Sequence, residues 1–133
     1  DDSLSIELIL GGRFQGKLEF ILERSGFSLA DVADETVPEQ WLHKPVLNRL
    51  HRLVFRLLQE GGDPQEFLED VLRRNPDAIV LCNEIGCGVV PVGALERRYR
   101  ETVGHLCCDL ARRAGRVIRI QCGLPMTLKG EAL

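Results

Sequence analysis

The sequence lacks a long uninterrupted hydrophobic run, and it contains few aromatic residues. None of its apolar stretches approaches the roughly 20 residues that a membrane-spanning helix needs, so we expect no membrane partner. Aromatic residues make up 5% of the 133 residues, which leaves little surface on which nucleic-acid bases could stack. The chain opens with Asp1-Asp2 rather than with a basic and then an apolar segment, so we expect no signal peptide.

A strong excess of one charge is also missing. The formal net charge is −3; residues 1–91 carry 9 basic and 16 acidic residues, whereas residues 92–133 carry 8 and 4. A weakly acidic protein without a dominant basic face is a poor candidate for binding nucleic acid. The 44% hydrophobic and 28% charged residues are typical of an ordinary globular protein and exclude wholesale disorder. The length predicts a single domain over residues 1–133.

Cysteine pairs with metal-binding spacing are absent as well. The five cysteines are an odd number and include no C-x-x-C, and the adjacent Cys107 and Cys108 do not have the spacing of a tetrahedral zinc site. We therefore expect a cytoplasmic protein with reduced thiols, several of them buried. Cys87 lies between glycines and is the candidate for a reactive thiol, although no base lies next to it in the sequence.

Hydrophobic patterning predicts strands that alternate with helices. Strands are predicted at residues 5–10, 77–82 and 117–122, and helices at 16–25, 46–60, 64–74 and 95–114. Strands that alternate with helices need crossover connections and therefore a mostly parallel sheet. Residues 27–45 show no clear pattern, and residues 123–133 are predicted to be a loop.

A phosphate-binding pattern lies between the first predicted strand and the first predicted helix. Residues 11–17 fit G-x-x-x-x-G-K, in which backbone N–H groups and a helix N-terminus surround an anion. Lys17 would reach the β- and γ-phosphates. The alternative is a glycine turn with a solvated lysine. The predicted nucleotide-binding residues are Gly11, Gly12, Arg13, Phe14, Gln15, Gly16, Lys17 and Leu18.

The pattern departs from a magnesium-binding P-loop at one position. Leu18 stands where Ser or Thr would offer a hydroxyl group to Mg²⁺. An acid at the end of another inner strand could hold Mg²⁺ through water, and Glu84 follows the predicted strand at 77–82. Asp34, Glu35 and Glu39 are further candidates, so we assign no metal ligand from the sequence.

A second glycine-containing segment covers residues 83–91, beyond the end of a predicted strand. Ligands of open α/β sheets bind at that edge, so the segment is either an active-site loop or an ordinary strand-to-helix turn. The active-site interpretation uses Asn83, Gly86 and Gly88.

The histidines and one arginine cluster have two interpretations each. His51 and His105 lie at the edges of helical apolar stripes and are predicted to be flanking polar residues rather than nucleophiles, whereas His43 lies in the unpatterned stretch. Arg98 and Arg100 could reach a phosphate from the start of the last helix, but a solvated helix face is the favoured interpretation.

Taken together, these residues resemble the adenosylcobinamide kinase/adenosylcobinamide-phosphate guanylyltransferase family. The resemblance rests on the strand and residues 11–17, on the N-E-x-G-x-G-x-V-P stretch at 83–91, on R-x-Y-R-x-x-x-G at 97–104 and on residues 123–129. It implies a parallel-sheet P-loop protein that forms a homotrimer. It also implies phosphorylation of adenosylcobinamide by GTP or ATP, with or without Mg²⁺, and then transfer of GMP through a guanylylated histidine.

By this resemblance Lys17 and Glu84 are the catalytic candidates, and nucleotide and corrinoid are the ligands. The segment that carries the family's guanylylated histidine has no clear counterpart; His43 and His51 are the two candidates. We predict an α/β fold, a three-layer P-loop NTPase-like domain with a small mostly parallel sheet. We favour a kinase-like enzyme, and the alternative is a non-catalytic P-loop relative that binds nucleotide or corrinoid or acts as a partner subunit.

Overall fold

The computed structural model of the chain describes residues 5–12, 16–84 and 93–131. Two short 3₁₀ helices, Leu29–Asp31 and Pro38–Leu42, lie among the longer elements. The strands are β1 (Glu7–Gly11), β2 (Val32–Ala33), β3 (Val46–Leu47), β4 (Ile79–Asn83), β5 (Arg116–Gln121) and β6 (Leu124–Lys129). The helices are α1 (Lys17–Ser25), α2 (Leu50–Gln59), α3 (Pro64–Arg74) and α4 (Ala94–Arg113).

The strands form one sheet in the order β2-β3-β4-β1-β5-β6. The first five in that order are parallel neighbours, and β6 runs antiparallel to β5. The carboxyl ends of parallel strands meet at one edge, where Gly11 of β1 pairs with Asn83 of β4 and Ile120 of β5. The predicted α/β fold with a mostly parallel sheet is confirmed.

The core lies on both faces of this sheet. Successive residues of β1 face opposite sides, so Leu8 packs in the cluster that contains α2, α3 and α4, whereas Ile9 packs with Ile21 of α1. Val80 and Leu81 of β4 alternate in the same way. The sheet is thus covered by three helices on one face and by α1 on the other, which confirms the three-layer prediction.

The helix predicted from residue 46 begins four residues later. Val46 and Leu47 form β3, are fully buried and pair with β4. Arg49 has a φ of 62°, a left-handed value that interrupts the backbone just before α2. The prediction was wrong because Val46 and Leu47 continue the apolar spacing of α2, and a short buried run fits a strand as well as a helix.

The tail predicted to be a loop is instead strand β6. Cys122 and Gly123 have φ values of 52° and 74°, and they connect the paired residues Gln121 and Leu124. Positive φ at both central residues is typical of the type I′ turn that joins hairpin strands. Because Cys-Gly is not one of the dipeptides that usually mark this turn, the sequence pattern missed it.

The ends of two helices follow their sequence signals. Asp63 caps α3, since its carboxylate accepts hydrogen bonds from the N–H groups of Gln65 and Glu66. Gly26 ends α1 in the left-handed conformation that glycine adopts without strain. Among the described helices, none combines the length and the apolar character needed to cross a membrane.

Candidate functional site

An open cleft of about 470 Å³ lies at the carboxyl edge of the sheet. It is bounded by the N-terminal turns of α1 and α2, the end of β4 and the first half of α4. The elements come from three distant parts of the sequence and meet here because their strands are parallel. The lining residues are Gly16, Lys17, Leu18, Glu19, Asn48, Arg49, His51, Arg52, Asn83 and Tyr99.

Lys17 is held at the N-terminus of α1 by the end of β1. Its Nζ donates hydrogen bonds to the carbonyl oxygens of Gly12 (2.9 Å) and Gly11 (3.4 Å). Only glycine fits at position 11, since a Cβ there would lie 2.6 Å from the carbonyl oxygen of Ile120 and 3.3 Å from Cγ of Lys17. Burial lowers the pKa of Lys17. Gly16, with a φ of 84°, starts α1 directly beneath this side chain.

His51 enters the cleft from the first turn of α2 and is only 8% exposed. The backbone N–H of Asn83 donates to its Nδ1 (3.2 Å), which leaves the proton of a neutral imidazole on Nε2. Burial, followed by the charges of Lys17, Arg52 and Arg49, lowers the pKa of His51 to about 4. At neutral pH this side chain is therefore an uncharged hydrogen-bond donor.

The Nε2 atom of His51 faces the solvent of the cleft. Nε2 has no hydrogen-bond partner in the part of the chain that the structure describes. It is also not fully buried, since the fully buried side-chain nitrogen without a partner among the described residues is Arg113 Nε. His51 lies on a helix, as predicted, but it is buried and lines the cleft, which the sequence pattern did not indicate.

Two arginines flank His51 on α2. Arg49 forms an ion pair with Glu35 in which the nitrogen and oxygen are 3.6 Å apart, and the Arg49 side chain is 58% exposed. Arg52 is exposed, and within the described residues no carboxylate pairs with it. Both charges are close enough to His51 to contribute to the lowering of its pKa.

The N-termini of α1 and α2 both open onto the cleft. Neither helix has a side-chain cap: the N-cap residues are Gly16 and Arg49, both with left-handed backbone. The first N–H groups of a helix have no partner within the helix and carry about half a positive charge. Two such ends beside Lys17 and Arg52 make the cleft suited to an anion with several negative charges.

The remaining wall of the cleft comes from β4 and α4. Asn83 is the last residue of β4, and Tyr99 packs edge-to-face on Phe55 of α2 with ring centroids 5.0 Å apart. Burial raises the pKa of Tyr99 to about 12, so its hydroxyl group keeps its proton at neutral pH. Both side chains can donate hydrogen bonds to a bound anion.

The structure brings together some of the residues predicted from the sequence and separates others. Gly16, Lys17, Leu18 and Asn83 line the cleft, and Gly11 and Gly12 support Lys17. The predicted residues Arg13, Phe14, Gln15, Gly86, Cys87 and Gly88 lie outside the described residues.

Three charged residues that the sequence suggested for the site, Glu84, Arg98 and Arg100, do not line the cleft. Glu84 accepts a hydrogen bond from Arg119 (2.9 Å) and is not part of the cleft lining, although its charge is near enough to Lys17 to raise that pKa. Arg100 pairs with Glu96 (3.0 Å) and Arg98 is exposed, so neither lines the cleft. The preferred interpretation of the arginine cluster as a solvated helix face therefore agrees with the structure.

The side chains around the cleft do not suit a magnesium ion. Leu18 packs against the smaller core cluster, and the residue after β3 is Asn48 rather than an acid. Of the acidic candidates, Asp34 accepts hydrogen bonds from Thr36, and Glu35 and Glu84 pair with arginines. Among the described residues, no group of three or more His, Cys, Asp or Glu could hold a metal ion.

Several lining residues could not be found from the sequence pattern. Asn48 and Arg49 connect β3 to α2, and His51 and Arg52 lie in the first turn of α2. Tyr99 was assigned to the apolar stripe of α4. The missing signal was β3 itself, because a strand of two residues has no detectable alternation.

A pair of thiols lies behind this wall of the cleft. Cys107 of α4 and Cys82 of β4 share a hydrogen bond, with 3.4 Å between the sulfur atoms. This hydrogen bond and burial raise the pKa of Cys82, which keeps its thiol protonated. Among the described residues no disulfide joins these two cysteines or the exposed Cys108 and Cys122.

Comparison with known proteins shows that a protein family and a bacterial protein match parts of this chain. The family described as cobinamide kinase / cobinamide phosphate guanyltransferase matches residues 47–128, which include His51, Asn83 and Tyr99 but not Lys17. The bifunctional adenosylcobalamin biosynthesis protein CobP of Pseudomonas aeruginosa is 46% identical over 78 residues. That match covers 53% of this chain and 45% of the relative, so this chain matches less than half of the length of that protein.

Proposed function

Because the chain belongs to the cobinamide kinase / cobinamide phosphate guanyltransferase family, we propose that it transfers a phosphoryl group from GTP or ATP to adenosylcobinamide in adenosylcobalamin biosynthesis. The observation that carries this proposal is Lys17. Its ammonium group is fixed by two carbonyl oxygens at the N-terminus of α1, inside a cleft whose opposite wall belongs to the family-matched segment.

The role that we propose for Lys17 is to contact the β- and γ-phosphates of the nucleotide. The N–H groups of the first turn of α1 would bind the same phosphates, since Gly16 brings the backbone close without a side chain in the way. Phosphoryl transfer depends mainly on positioning and on neutralising charge that spreads over the transferred group. A cation held in place before the substrate arrives supplies both.

We propose the kinase reaction alone, without the guanylyl transfer that the family name also contains. A histidine that accepts GMP must offer an unprotonated ring nitrogen to the α-phosphate. In His51 the unprotonated nitrogen, Nδ1, accepts a hydrogen bond from the backbone of Asn83, and Nε2 toward the cleft carries the proton. His43 is exposed and is not among the residues that line the cleft.

Glu84 remains a predicted catalytic residue in this proposal. It follows β4 directly, its charge favours the protonated form of Lys17, and its carboxylate accepts a hydrogen bond from Arg119. We also propose a homo-oligomer, as the family resemblance implies. The exposed apolar side chains of the edge strand β6 support that proposal: Leu124 (70% exposed), Met126 (51%) and Leu128 (54%).

The direct test is phosphate transfer from γ-³²P-labelled GTP or ATP to adenosylcobinamide, with the product separated by chromatography. We expect a labelled corrinoid product, and a loss of at least about 100-fold in the rate for Lys17→Ala, since interactions with the transferred group act in the transition state. Lys129→Ala is the matched control, because Lys129 also donates to two carbonyl oxygens but lies in β6.

The controls separate the outcomes of this assay. Equal rates for wild type and Lys129→Ala would show that losing a lysine held by carbonyl groups does not by itself stop transfer. Binding of nucleotide without any labelled product would contradict the kinase proposal and favour the non-catalytic alternative.

A further inference from the structure

The cleft contains more positive charge than the phosphate-binding pattern of residues 11–17 accounts for. Among the described residues, its lining includes the cations Lys17, Arg49 and Arg52 and one carboxylate, that of Glu19. Lys17 belongs to α1, whereas the two arginines belong to the start of α2. Two of these three cations therefore come from a segment to which the phosphate-binding pattern assigns no role.

The start of α2 has the features of an anion site in its own right. The helix has 10 residues and no side-chain cap. The N–H of Arg52 donates to the carbonyl oxygen of Arg49 (2.9 Å), whereas the N–H groups of Leu50 and His51 have no backbone partner among the described residues. His51, which is 8% exposed, aims an N–H donor at the same space and has no partner for it in the described part of the chain.

We propose that Arg49, Arg52 and the N-terminus of α2 neutralise the phosphate groups of the bound nucleotide in place of a magnesium ion held by the protein. The chain then binds a polyphosphate anion without a divalent metal. This inference rests on the proposed nucleotide-binding function, because both concern the same cleft. It adds which groups neutralise the negative charge of the phosphates.

The chemistry of the arginines suits this role. A guanidinium group forms two parallel hydrogen bonds with phosphate and keeps its charge at any relevant pH. Arg52 has no carboxylate partner among the described residues, and Arg49 is 3.6 Å from Glu35, longer than a direct charge-assisted hydrogen bond. Both groups can turn to a phosphate without breaking a strong interaction.

The side chains near the cleft also offer few oxygen ligands for Mg²⁺. The hydroxyl position after Lys17 is occupied by Leu18, whose side chain packs into the core, and the position after β3 is Asn48. Mg²⁺ is usually held through one or two carboxylates together with the substrate phosphates. Among the described residues, the carboxylate that lines the cleft is that of Glu19, which is exposed on α1, and Glu84 pairs with Arg119.

The test is calorimetric titration with GTP and with inorganic triphosphate, each in EDTA and in excess Mg²⁺. We expect dissociation constants in EDTA within about 3-fold of those in Mg²⁺, a free-energy difference below about 1 kcal/mol. Arg52→Gln and Arg49→Gln should each weaken triphosphate binding about 10-fold or more, since each removes a charge-assisted hydrogen bond. Arg73→Gln, an exposed arginine of α3 away from the cleft, is the matched control and should bind as the wild type does.

Each other outcome has a definite meaning. Binding that appears only with Mg²⁺ would overturn this inference and leave the proposed nucleotide-binding function intact. Binding that depends on Lys17 but not on Arg49 or Arg52 would also overturn this inference and leave the proposed nucleotide-binding function intact. The absence of binding under both conditions would overturn the proposed function together with the inference. Circular dichroism of each variant shows whether α2 is still folded, and Arg52, being exposed, gives the variant that leaves the core untouched.

Discussion

The imidazole of His51 is buried beside three cations, and this environment decides both its charge and its tautomer. Burial and the charges of Lys17, Arg52 and Arg49 favour the neutral form. The N–H of Asn83 then fixes the proton on Nε2. A histidine on a helical apolar stripe is usually a structural residue, so its role here could be predicted only once β3 and β4 were placed side by side.

His51 makes the stability of the fold depend on pH. In the unfolded chain its pKa returns to about 6.5, whereas in the folded protein it is about 4. Between these values the unfolded state binds the extra proton, so the free energy of unfolding falls as the pH drops from about 6.5 toward 4. The upper limit is about 3 kcal/mol, and solvent in the cleft reduces it. Urea unfolding at pH 7.5 and pH 5 measures the loss.

His51→Asn is the control for this prediction. Its amide oxygen still offers an acceptor to the N–H of Asn83, but it has no proton to gain. The exposed His43 and His105 are unchanged in the variant, so their contribution cancels. Equal pH dependence in wild type and His51→Asn would show that His51 is not held neutral.

The tautomer of His51 also predicts that no covalent nucleotide intermediate forms. Incubation with α-³²P-labelled GTP, followed by denaturing electrophoresis, should leave the protein unlabelled, because the nitrogen that faces the cleft carries a proton. A label that is stable in base, labile in acid and lost in His51→Asn would contradict this account and restore the guanylyl-transfer reaction.

At the scale of elements, the end of β1 positions Lys17. The strand, the glycine-containing turn and α1 are contiguous in the sequence, so this half of the cleft could be predicted from residues 11–17 and their context. The other half could not, because β3 has two residues and its apolar character merges with that of α2. Strand β6 was missed for a related reason: its turn, Cys122-Gly123, lacks the usual residue types.

At Gly11, β1 packs closely against β5. A methyl group at this position would meet the carbonyl oxygen of Ile120 at 2.6 Å and force the two strands apart. We expect Gly11→Ala to lower the free energy of unfolding by about 1–3 kcal/mol, the usual effect of overpacking, and to weaken nucleotide binding through Lys17. Urea denaturation and calorimetric titration measure the two effects.

Gly104→Ala is the matched control for this change. Gly104 lies within α4, and an added Cβ meets no heavy atom within 4 Å. Alanine is the better helix former by about 1 kcal/mol, so this variant should be as stable as the wild type or more stable. Equal destabilisation of both variants would show that the contact between Gly11 and Ile120 is not what fixes glycine at that position.

At the scale of the whole molecule, the sheet ends in an exposed strand. The side chains of Leu124, Met126 and Leu128 project from one face of β6, and its outer edge has no partner strand among the described residues. A long apolar edge strand tends to pair with another chain. The resemblance to the family first suggested an oligomer, whereas the surface that could form it became visible only in the structure.

We therefore predict that β6 contributes to a homo-oligomeric interface. Light scattering during size-exclusion chromatography should give a mass greater than the 14.9 kDa of one chain. The double variant Leu124→Lys with Leu128→Lys should elute as a single chain. Leu29→Lys, at an equally exposed leucine outside β6, should leave the mass of the wild type unchanged. A wild-type protein of 14.9 kDa in solution would contradict the prediction.

The central claim is that α1, α2 and β4 together form one site for the phosphates of a nucleotide. It is tested most directly by following the backbone amide resonances of ¹⁵N-labelled protein during a titration with GTP. The account predicts saturable shifts that are largest at Gly16–Leu18, at Leu50–Arg52 and at Asn83, the positions whose N–H groups or side chains face the cleft. Shifts confined to α1, shifts centred elsewhere, or none at millimolar nucleotide would contradict it.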